Sequence, residues 1–274
     1  MSDAARQPGF SDEQRLAFGQ VAELYDRARP SYPAAAIDAV LEYGALGPGS
    51  RVAEIGAGTG KATVLLVQRG LTVTAIEPSE PMAAVARAKL AASPAVTLVP
   101  TAFEAWDPGQ PFDAVVSVQA WHWLDPKVRC ARAWEALRPG GALAAVWSFP
   151  DWERCRQRGA LSRAYRIAPV TLAPDFPMHP DSEPTRLAGD WHAEVTAATG
   201  FGAVEVREFP RSERYTAQDY VALLQTHQDH ILLNEDDRAA LMEEIRRTIE
   251  SGGGSLELPL TTYVCLARRL QESA

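Results

Sequence analysis

The chain has 274 residues, 46% of them hydrophobic, and a formal net charge of −8. This length and hydrophobic content are enough for one elaborated α/β domain with a substantial core. The acidic balance and the scattered positions of the 27 lysines and arginines argue against nucleic acid or an anionic membrane as partner. An N-terminus without an apolar run and three cysteines without metal-ligand spacing predict a cytoplasmic protein.

The N-terminal segment, 1–45, is predicted to be helical. Its apolar residues recur at three- and four-residue steps from Leu16 to Leu41. The turn at Arg29–Pro33 divides the segment into two helices, because each proline interrupts helical hydrogen bonding.

Strands alternate with helices from 46 to 148. Strand patterns occur at 51–55, 71–77, 96–99, 112–117 and 141–147, and helical patterns occur at 61–69, 81–92 and 126–137. This alternation predicts a mainly parallel, doubly wound sheet in an α/β fold.

The alternation stops in the segment 149–190, which contains six prolines, at 150, 169, 174, 177, 180 and 184. We predict an insertion of short helices and loops there. The segment 191–274 returns to regular patterns, with a helix at 191–198, a strand at 203–209, two helices within 217–249 and a last strand at 256–267. These elements complete the same domain.

The densest motif is the loop Glu54–Gly60, which follows the first strand and has glycines at 56, 58 and 60. Such glycines allow the backbone to turn sharply and to approach a ligand. A P-loop is excluded, because Gly60-Lys61 is followed by Ala62 instead of Ser or Thr. A dinucleotide site is disfavoured. In the dinucleotide-binding motif the third glycine lies three residues after the second, whereas Gly60 lies only two residues after Gly58.

Acidic residues end the first two strands. Glu54 can meet the amino-bearing end of a ligand and would repel a diphosphate, and Glu77 can accept hydrogen bonds from two ribose hydroxyls. Together they describe a nucleoside with a positively charged tail and no phosphate, which is the chemistry of S-adenosylmethionine. The alternative is that the loop is only a tight connection between a strand and a helix.

Three segments resemble successive motifs of class I S-adenosylmethionine-dependent methyltransferases: Val52–Gly60, Ala75–Met82 and Gln119–Asp125. The closest likeness is to the trans-aconitate-type and methyltransferase type 11 small-molecule subgroup, and Tyr25–Pro33 and Leu258–Tyr263 share it. The resemblance implies a Rossmann-like seven-stranded sheet with an antiparallel last strand. It also implies an N-terminal helical lid and a cofactor across the carboxyl ends of the first, second and fourth strands.

The same resemblance implies roles for individual residues. Gly56, Gly58 and Gly60 would pass close to the methionine and ribose, and Met82 would lie against adenine. Phe103 and Glu104 would lie beside the adenine ring, although Phe103 stands where a small residue is usual, and Gln119 would line the methionine portion. Tyr25 and Arg29 of the lid are candidates for cofactor binding, with packing of the two helices as the alternative.

Methyl transfer from a sulfonium is an in-line displacement that needs alignment and a dry pocket. We therefore expect methylation of a small metabolite, with a carboxylate or hydroxyl oxygen favoured as acceptor. His122 follows the fourth strand and is a candidate base, because imidazole titrates near neutral pH. The alternative is a structural histidine.

Aromatic residues are the candidates for substrate contact, because apolar walls are typical of small-molecule pockets. They are Tyr32, Trp121, Trp123, Trp147 and Trp152. His227 and His230 have the spacing of a metal pair, but no third ligand is evident, so a solvated helix face and no metal are expected.

Two other functions stay open from the sequence. One is an enzyme of the same fold that binds the cofactor without transferring its methyl group. The other is a nicotinamide-dependent oxidoreductase, against which the glycine spacing argues. The sequence does not specify an oligomeric state.

Overall fold

The computed structural model describes residues 21–168, 172, 176–182, 191 and 193–271. The first half of the predicted N-terminal helical segment lies outside the described residues, as does part of the predicted insertion.

Seven strands form one sheet in the order β3-β2-β1-β4-β5-β7-β6. They are β1 (Arg51–Ile55), β2 (Thr72–Ile76), β3 (Val96–Val99), β4 (Phe112–Val118), β5 (Leu137–Pro150), β6 (Glu205–Thr216) and β7 (Ser255–Arg268). The first five strands pair in parallel, and β7 pairs antiparallel with both β5 and β6. The prediction of a doubly wound sheet with an antiparallel last strand is confirmed.

Helices cover the sheet. They are α1 (Ala22–Ala28), α2 (Ala34–Gly44), α3 (Lys61–Val67), α4 (Glu80–Leu90), α5 (Arg129–Ala136), α6 (Arg158–Ile167), α7 (Ala217–Leu224), α8 (Gln228–Ile231) and α9 (Glu235–Ser251). The prediction of two helices within 217–249 is wrong, because a third begins there at its own cap. Asn234 accepts a hydrogen bond from the backbone N–H of Asp237 and so starts α9.

The core lies on both faces of the sheet. Along β4, Val115 packs into the cluster on one face, and Ala114 and Val116 pack into the cluster on the other. A third apolar cluster joins α6, α7 and α9 to the first residues of β7.

Three strands extend beyond the rest of the sheet and position the site. β5 pairs with β4 as far as Val146 and continues to Pro150, where β7 and β6 accompany it. The sequence predicted that β5 ends at 147 and β6 at 209. Pro210 is tolerated because β6 is an edge strand, where a missing N–H leaves no unpaired neighbour. We call this extended part of β5, β7 and β6 the overhang.

Candidate functional site

The glycine loop turns against the residue that follows β4. Gly56, Gly58 and Gly60 have φ angles of 66°, 57° and 77°, which favour glycine. A Cβ at Gly56 would lie 2.3 Å from Cβ of Ala120. The backbone N–H groups of Gly56 and Ala57 donate to the carbonyl of Ile76 at 2.9 and 3.1 Å. The loop is therefore held at the carboxyl ends of β1, β2 and β4.

Glu77 is fixed by the loop that it faces. Its Oε2 accepts the N–H of Gly58 at 2.8 Å, and its Oε1 accepts the N–H of Ser79 at 2.8 Å. Burial raises the pKa of this carboxyl, and the two backbone hydrogen bonds oppose that shift. Each oxygen keeps further lone pairs, so the side chain can still accept hydroxyl donors. Cε of Met82 lies 3.5 Å from the position of a Cβ at Gly58.

Glu54 carries the least satisfied charge of the loop. Its side chain is buried, and its Oε2 has no hydrogen-bond partner among the described residues. Burial raises the pKa of this carboxyl to about 7 and the charge of Glu77 adds to the shift, whereas hydrogen bonding with Thr63 opposes it. A buried carboxylate oxygen without a hydrogen-bond partner is costly, and a cationic donor would satisfy it.

Glu54 opens into a cleft that we call the loop cleft. Its lining residues are Tyr25, Tyr32, Glu54, Gly56, Ala57, Gly58, Thr59, Lys61, Ala62 and Val118. The N-terminal helices close it from one side, and there the carbonyl of Asp26 accepts a hydrogen bond from Nζ of Lys61 at 2.5 Å. The Asp26 carboxylate also forms an ion pair with Lys89 of α4.

A second cleft lies beside the first, under the overhang, and we call it the overhang cleft. Its lining residues are Tyr25, Arg29, Pro30, Tyr32, Gln119, Ser148, Pro150, Met178, Arg211, Tyr215, Leu223, His227, Leu258 and Leu260. Because Tyr25 and Tyr32 line both clefts, the two are adjacent. The structure thus brings together, around one space, four residues that the sequence proposed for the site: Tyr25, Arg29, Tyr32 and Gln119.

Arg29 ties the end of α1 to the opposite wall. Its Nε donates to Oγ1 of Thr226 at 2.8 Å, and its Nη2 donates to the carbonyl of Thr226 at 2.9 Å. Its guanidinium carbon lies 4.9 Å from the ring centroid of Tyr25. These contacts fix α1 and the following turn over both clefts.

Gln119 marks the point where β4 enters the site. Its φ of 59° is left-handed, a conformation that a residue other than glycine adopts at a cost of about 1–3 kcal/mol. Its N–H donates to the carbonyl of Val146 at 2.8 Å, and its Nε2 donates to the carbonyl of Ser148 at 2.9 Å. Both bonds hold Gln119 against the start of the overhang.

Nδ1 of His122, the ring nitrogen whose lone pair a base would use, already accepts a hydrogen bond. Nε1 of Trp147 donates to its Nδ1 at 3.0 Å, and burial, with the charge of Arg129, lowers its pKa to about 4. A neutral imidazole that accepts at Nδ1 carries its proton on Nε2. Neither nitrogen then offers a lone pair to a substrate proton.

The four predicted substrate tryptophans, at 121, 123, 147 and 152, are not among the residues that line the two clefts. Trp121 and Trp147 pack edge-on against Trp191, with ring centroids 6.1 and 5.6 Å away. Nε1 of Trp152 donates to the carbonyl of Pro177 at 2.8 Å. Strand alternation turns Trp147 to one face of the sheet, whereas its neighbour Ser148 lines the overhang cleft on the other.

The three residues expected at adenine, Met82, Phe103 and Glu104, also lie outside the lining of both clefts. Phe103 is buried in the core, with its ring centroid 6.2 Å from that of Trp106. Oε1 of Glu104 accepts the N–H of Asp125 at 2.9 Å. Glu104 thus braces the segment that follows β4.

The expectation that His227 and His230 lie on a solvated helix face is wrong. α8 packs against α6, so His230 is fully buried, and its Nε2 is 2.8 Å from the hydroxyl of Tyr165. His227 lines the overhang cleft, and burial lowers its pKa well below the usual value. Among the described residues, no group of three or more His, Cys, Asp or Glu side chains could hold a metal ion.

Sequence reasoning did not identify Arg211 and Tyr215 as site residues. Both belong to the part of β6 beyond Pro210, which was not predicted as strand. The alternation of Arg211, Glu213 and Tyr215 is the signal that could have placed them on one face.

In the part of the chain that the structure describes, every helix is too short or too polar to cross a lipid bilayer.

Residues 52–141 match a family model described as a methyltransferase domain. An uncharacterised methyltransferase from Mycobacterium tuberculosis is 44% identical over 139 residues, which are 51% of this chain and 55% of that protein. The chain thus spans about half the length of this relative. An uncharacterised methyltransferase from Geobacillus kaustophilus is 36% identical over 157 residues, which are 54% of this chain and 73% of the relative.

Solved structures share the fold. A protein from Anaeromyxobacter dehalogenans that is described as a type II methyltransferase has a TM-score of 0.62 at 24% identity, and the match covers 89% of this chain and 99% of that one. Phosphoethanolamine N-methyltransferase 2 of Haemonchus contortus, solved with S-adenosyl-L-methionine, has a TM-score of 0.52 at 18% identity, covering 95% and 58%. The cyclase SpnF has a TM-score of 0.56 at 16% identity, covering 97% and 98%.

Proposed function

Because the chain belongs to the S-adenosylmethionine-dependent methyltransferases, we propose that it transfers a methyl group from this cofactor to a small molecule. A carboxylate or hydroxyl oxygen is the favoured acceptor, in keeping with the resemblance to the trans-aconitate-type subgroup. The observation that carries the proposal is the unpaired, buried Oε2 of Glu54 in the loop cleft, beside the fixed carboxylate of Glu77.

The loop cleft fits the two ends of this cofactor. Glu54 would meet the amino group, and Glu77 would accept the ribose hydroxyls. Gly56, Gly58 and Gly60 would pass close to the methionine and ribose, and Met82, whose Cε lies beside Gly58, would lie against adenine. When bound, S-adenosylmethionine supplies a methyl group on a sulfonium, which is open to attack from the side opposite the sulfur.

The residues around the rest of the cofactor would help to position it. Gln119 lines the overhang cleft and would line the methionine portion. Phe103 and Glu104 would shape the adenine end through the core and through the N–H of Asp125.

The lid and the aromatic residues would exclude water and align the acceptor. Tyr25, Arg29 and Tyr32 cover the space where the clefts meet, and Tyr32 would contact the acceptor. Trp121, Trp123, Trp147 and Trp152 would contribute to the pocket by packing behind its walls. A dry site strengthens the electrostatic interactions within it and prevents side reactions.

We assign His122 a positioning role instead of a base. Its Nδ1 accepts the indole N–H of Trp147, and the carboxylate acceptors that the subgroup resemblance suggests need no proton removal. Alignment in the adjacent clefts would then be the main catalytic device.

Calorimetry with S-adenosylhomocysteine tests the proposal. Glu77→Gln places an amide NH₂ against a backbone N–H and removes the charge, so its affinity should fall by about tenfold to a hundredfold. Glu80→Gln removes the same charge on the exposed surface three residues away and should match wild type. Absence of binding by the wild-type chain, or equal binding by both variants, contradicts the proposal.

An enzyme that binds the cofactor without transferring its methyl is the alternative, and the shared fold of a cyclase is the observation that favours it. Mass spectrometry of metabolite mixtures incubated with the cofactor separates the two functions. A methyltransferase product is heavier than its substrate by one CH₂ group, whereas a rearranged product has the same mass.

A further inference from the structure

The overhang cleft contains hydrogen-bond donors that no described residue satisfies. Nε and Nη2 of Arg211 and the hydroxyl of Tyr215 are buried, and none of them has a hydrogen-bond partner among the described residues. Both residues line this cleft. Three unsatisfied donors in one place are costly unless a ligand with acceptor atoms binds there.

The unpaired nitrogens of Arg211 form one edge of its guanidinium. Glu213 occupies the other side, where Nη1 of Arg211 donates to Oε1 at 2.7 Å. Nε–H and Nη2–H point in the same direction, and their spacing matches the two oxygens of a carboxylate. Glu213 therefore fixes the guanidinium and leaves its bidentate edge open.

The strand places Tyr215 beside this edge. Arg211, Glu213 and Tyr215 alternate along β6, so their side chains share one face of the overhang. Tyr215 is only 7% exposed, and burial raises its pKa to about 12, so its hydroxyl remains protonated and able to donate.

The rest of the cleft combines a second cation with an apolar wall. The guanidinium of Arg29 lies on the lid side, held by Thr226. The apolar lining consists of Met178, Leu223, Leu258 and Leu260. Leu258 and Leu260 of β7 lie directly opposite Glu213 and Arg211 of β6, so the apolar wall begins beside the charged edge.

We propose that the overhang cleft binds the carboxylate of an amphipathic acceptor, through the open edge of Arg211 and the hydroxyl of Tyr215. The apolar body of the acceptor lies against Leu258 and Leu260. The assignment of this ligand as the methyl acceptor depends on the proposed function, but its recognition as an anion depends only on the cleft.

The test is calorimetry on the full chain in the presence of saturating S-adenosylhomocysteine. The probes are butyrate, hexanoate and octanoate, each compared with its primary amide, and octyl phosphate. Wild type should bind at least one carboxylate about tenfold tighter than the matching amide, because only the carboxylate makes charge-assisted hydrogen bonds. Arg211→Gln should abolish that preference, and Tyr215→Phe should reduce it.

Arg214→Gln is the matched control, because Arg214 is exposed on the outer face of the same strand. It should keep the preference of wild type. Equal binding of every carboxylate and its amide to wild type, or an unchanged preference in Arg211→Gln, would overturn the proposal. Tighter binding of octyl phosphate than of octanoate would overturn the assignment to a carboxylate.

The affinity for S-adenosylhomocysteine, measured separately in each variant, distinguishes the two proposals. Arg211→Gln should keep the cofactor affinity of wild type. A loss there would assign the open edge to the cofactor carboxylate and overturn the acceptor site. If wild type binds carboxylates but no S-adenosylhomocysteine, the proposed function fails and the anion site stands.

Discussion

The loop cleft and the overhang cleft share a border but are built in different ways. The loop cleft is lined mainly by residues of the glycine loop, and its acid, Glu54, belongs to the same βαβ unit as Glu77. The overhang cleft consists of side chains from the lid, β5, β6, β7 and the end of α7, which are far apart in the chain. A site built mainly from one loop has a local motif, whereas a site built from distant side chains does not.

The clefts also differ in the charge that they leave unsatisfied. Among the described residues, the loop cleft holds a carboxylate oxygen without a hydrogen-bond partner, and the overhang cleft holds N–H and O–H donors without one. The first is complementary to a cation and the second to an anion. The proposed cofactor site and the proposed acceptor site therefore differ in the charge that each would recognise.

Gly56→Ala should give the largest effect, because it damages the backbone of the loop cleft. The left-handed φ and the clash with Ala120 should together lower the free energy of unfolding by about 4 kcal/mol. Gly109→Ala is the matched control, since its φ of 61° is similar and nothing lies within 4 Å of its Cβ. It should cost about 1 kcal/mol. Urea denaturation measures both, and equal losses would show that the close approach at Gly56 is not needed.

Glu54 should make stability depend on pH. Its pKa is about 7 in the folded chain against a usual 4.5, so the folded state binds more protons between these values. Stability should therefore fall by about 3 kcal/mol as pH rises from 4.5 to 7, and then level off. Urea denaturation across this range should show a flatter profile for Glu54→Gln. Parallel profiles would contradict the raised pKa.

Cofactor binding should offset the loss of stability that ionisation of Glu54 causes. If an amino group binds ionised Glu54, the affinity of wild type for S-adenosylhomocysteine should rise as pH increases through 7. The affinity of Glu54→Gln should change less over the same range. Calorimetry at several pH values measures both, and an equal rise in the two chains would remove Glu54 from cofactor binding.

Tyr215→Phe should have the smallest effect on the free energy of unfolding, and unlike Gly56→Ala it should not lower it. It removes a buried hydroxyl without a partner among the described residues, so the free energy of unfolding should stay level or rise by up to about 1 kcal/mol. Tyr165→Phe removes a hydroxyl that is 2.8 Å from Nε2 of His230 and should lower it by about 1 kcal/mol. Thermal denaturation compares them. A loss in Tyr215→Phe as large as in Tyr165→Phe would mean that the hydroxyl is already satisfied.

The sequence predicted the sheet and the loop cleft because both follow local rules. Alternating strand and helix patterns require parallel strands, whose carboxyl ends bring Glu54, Glu77 and the glycines to one edge. It predicted the aromatic substrate residues less well, because an aromatic side chain next to a site can face either side of a strand. Trp147 faces the core, and the adjacent Ser148 faces the cleft.

By itself, then, the sequence determined the fold class and the type of cofactor site, since hydrophobic period and glycine spacing act over a few residues. The tertiary structure decided which groups remain unsatisfied. Only strand pairing beyond Pro210 places Arg211 and Tyr215 beside Leu258 and Leu260, and only burial leaves their donors without partners. The overhang cleft therefore depends on long-range contacts, and no short motif specifies it.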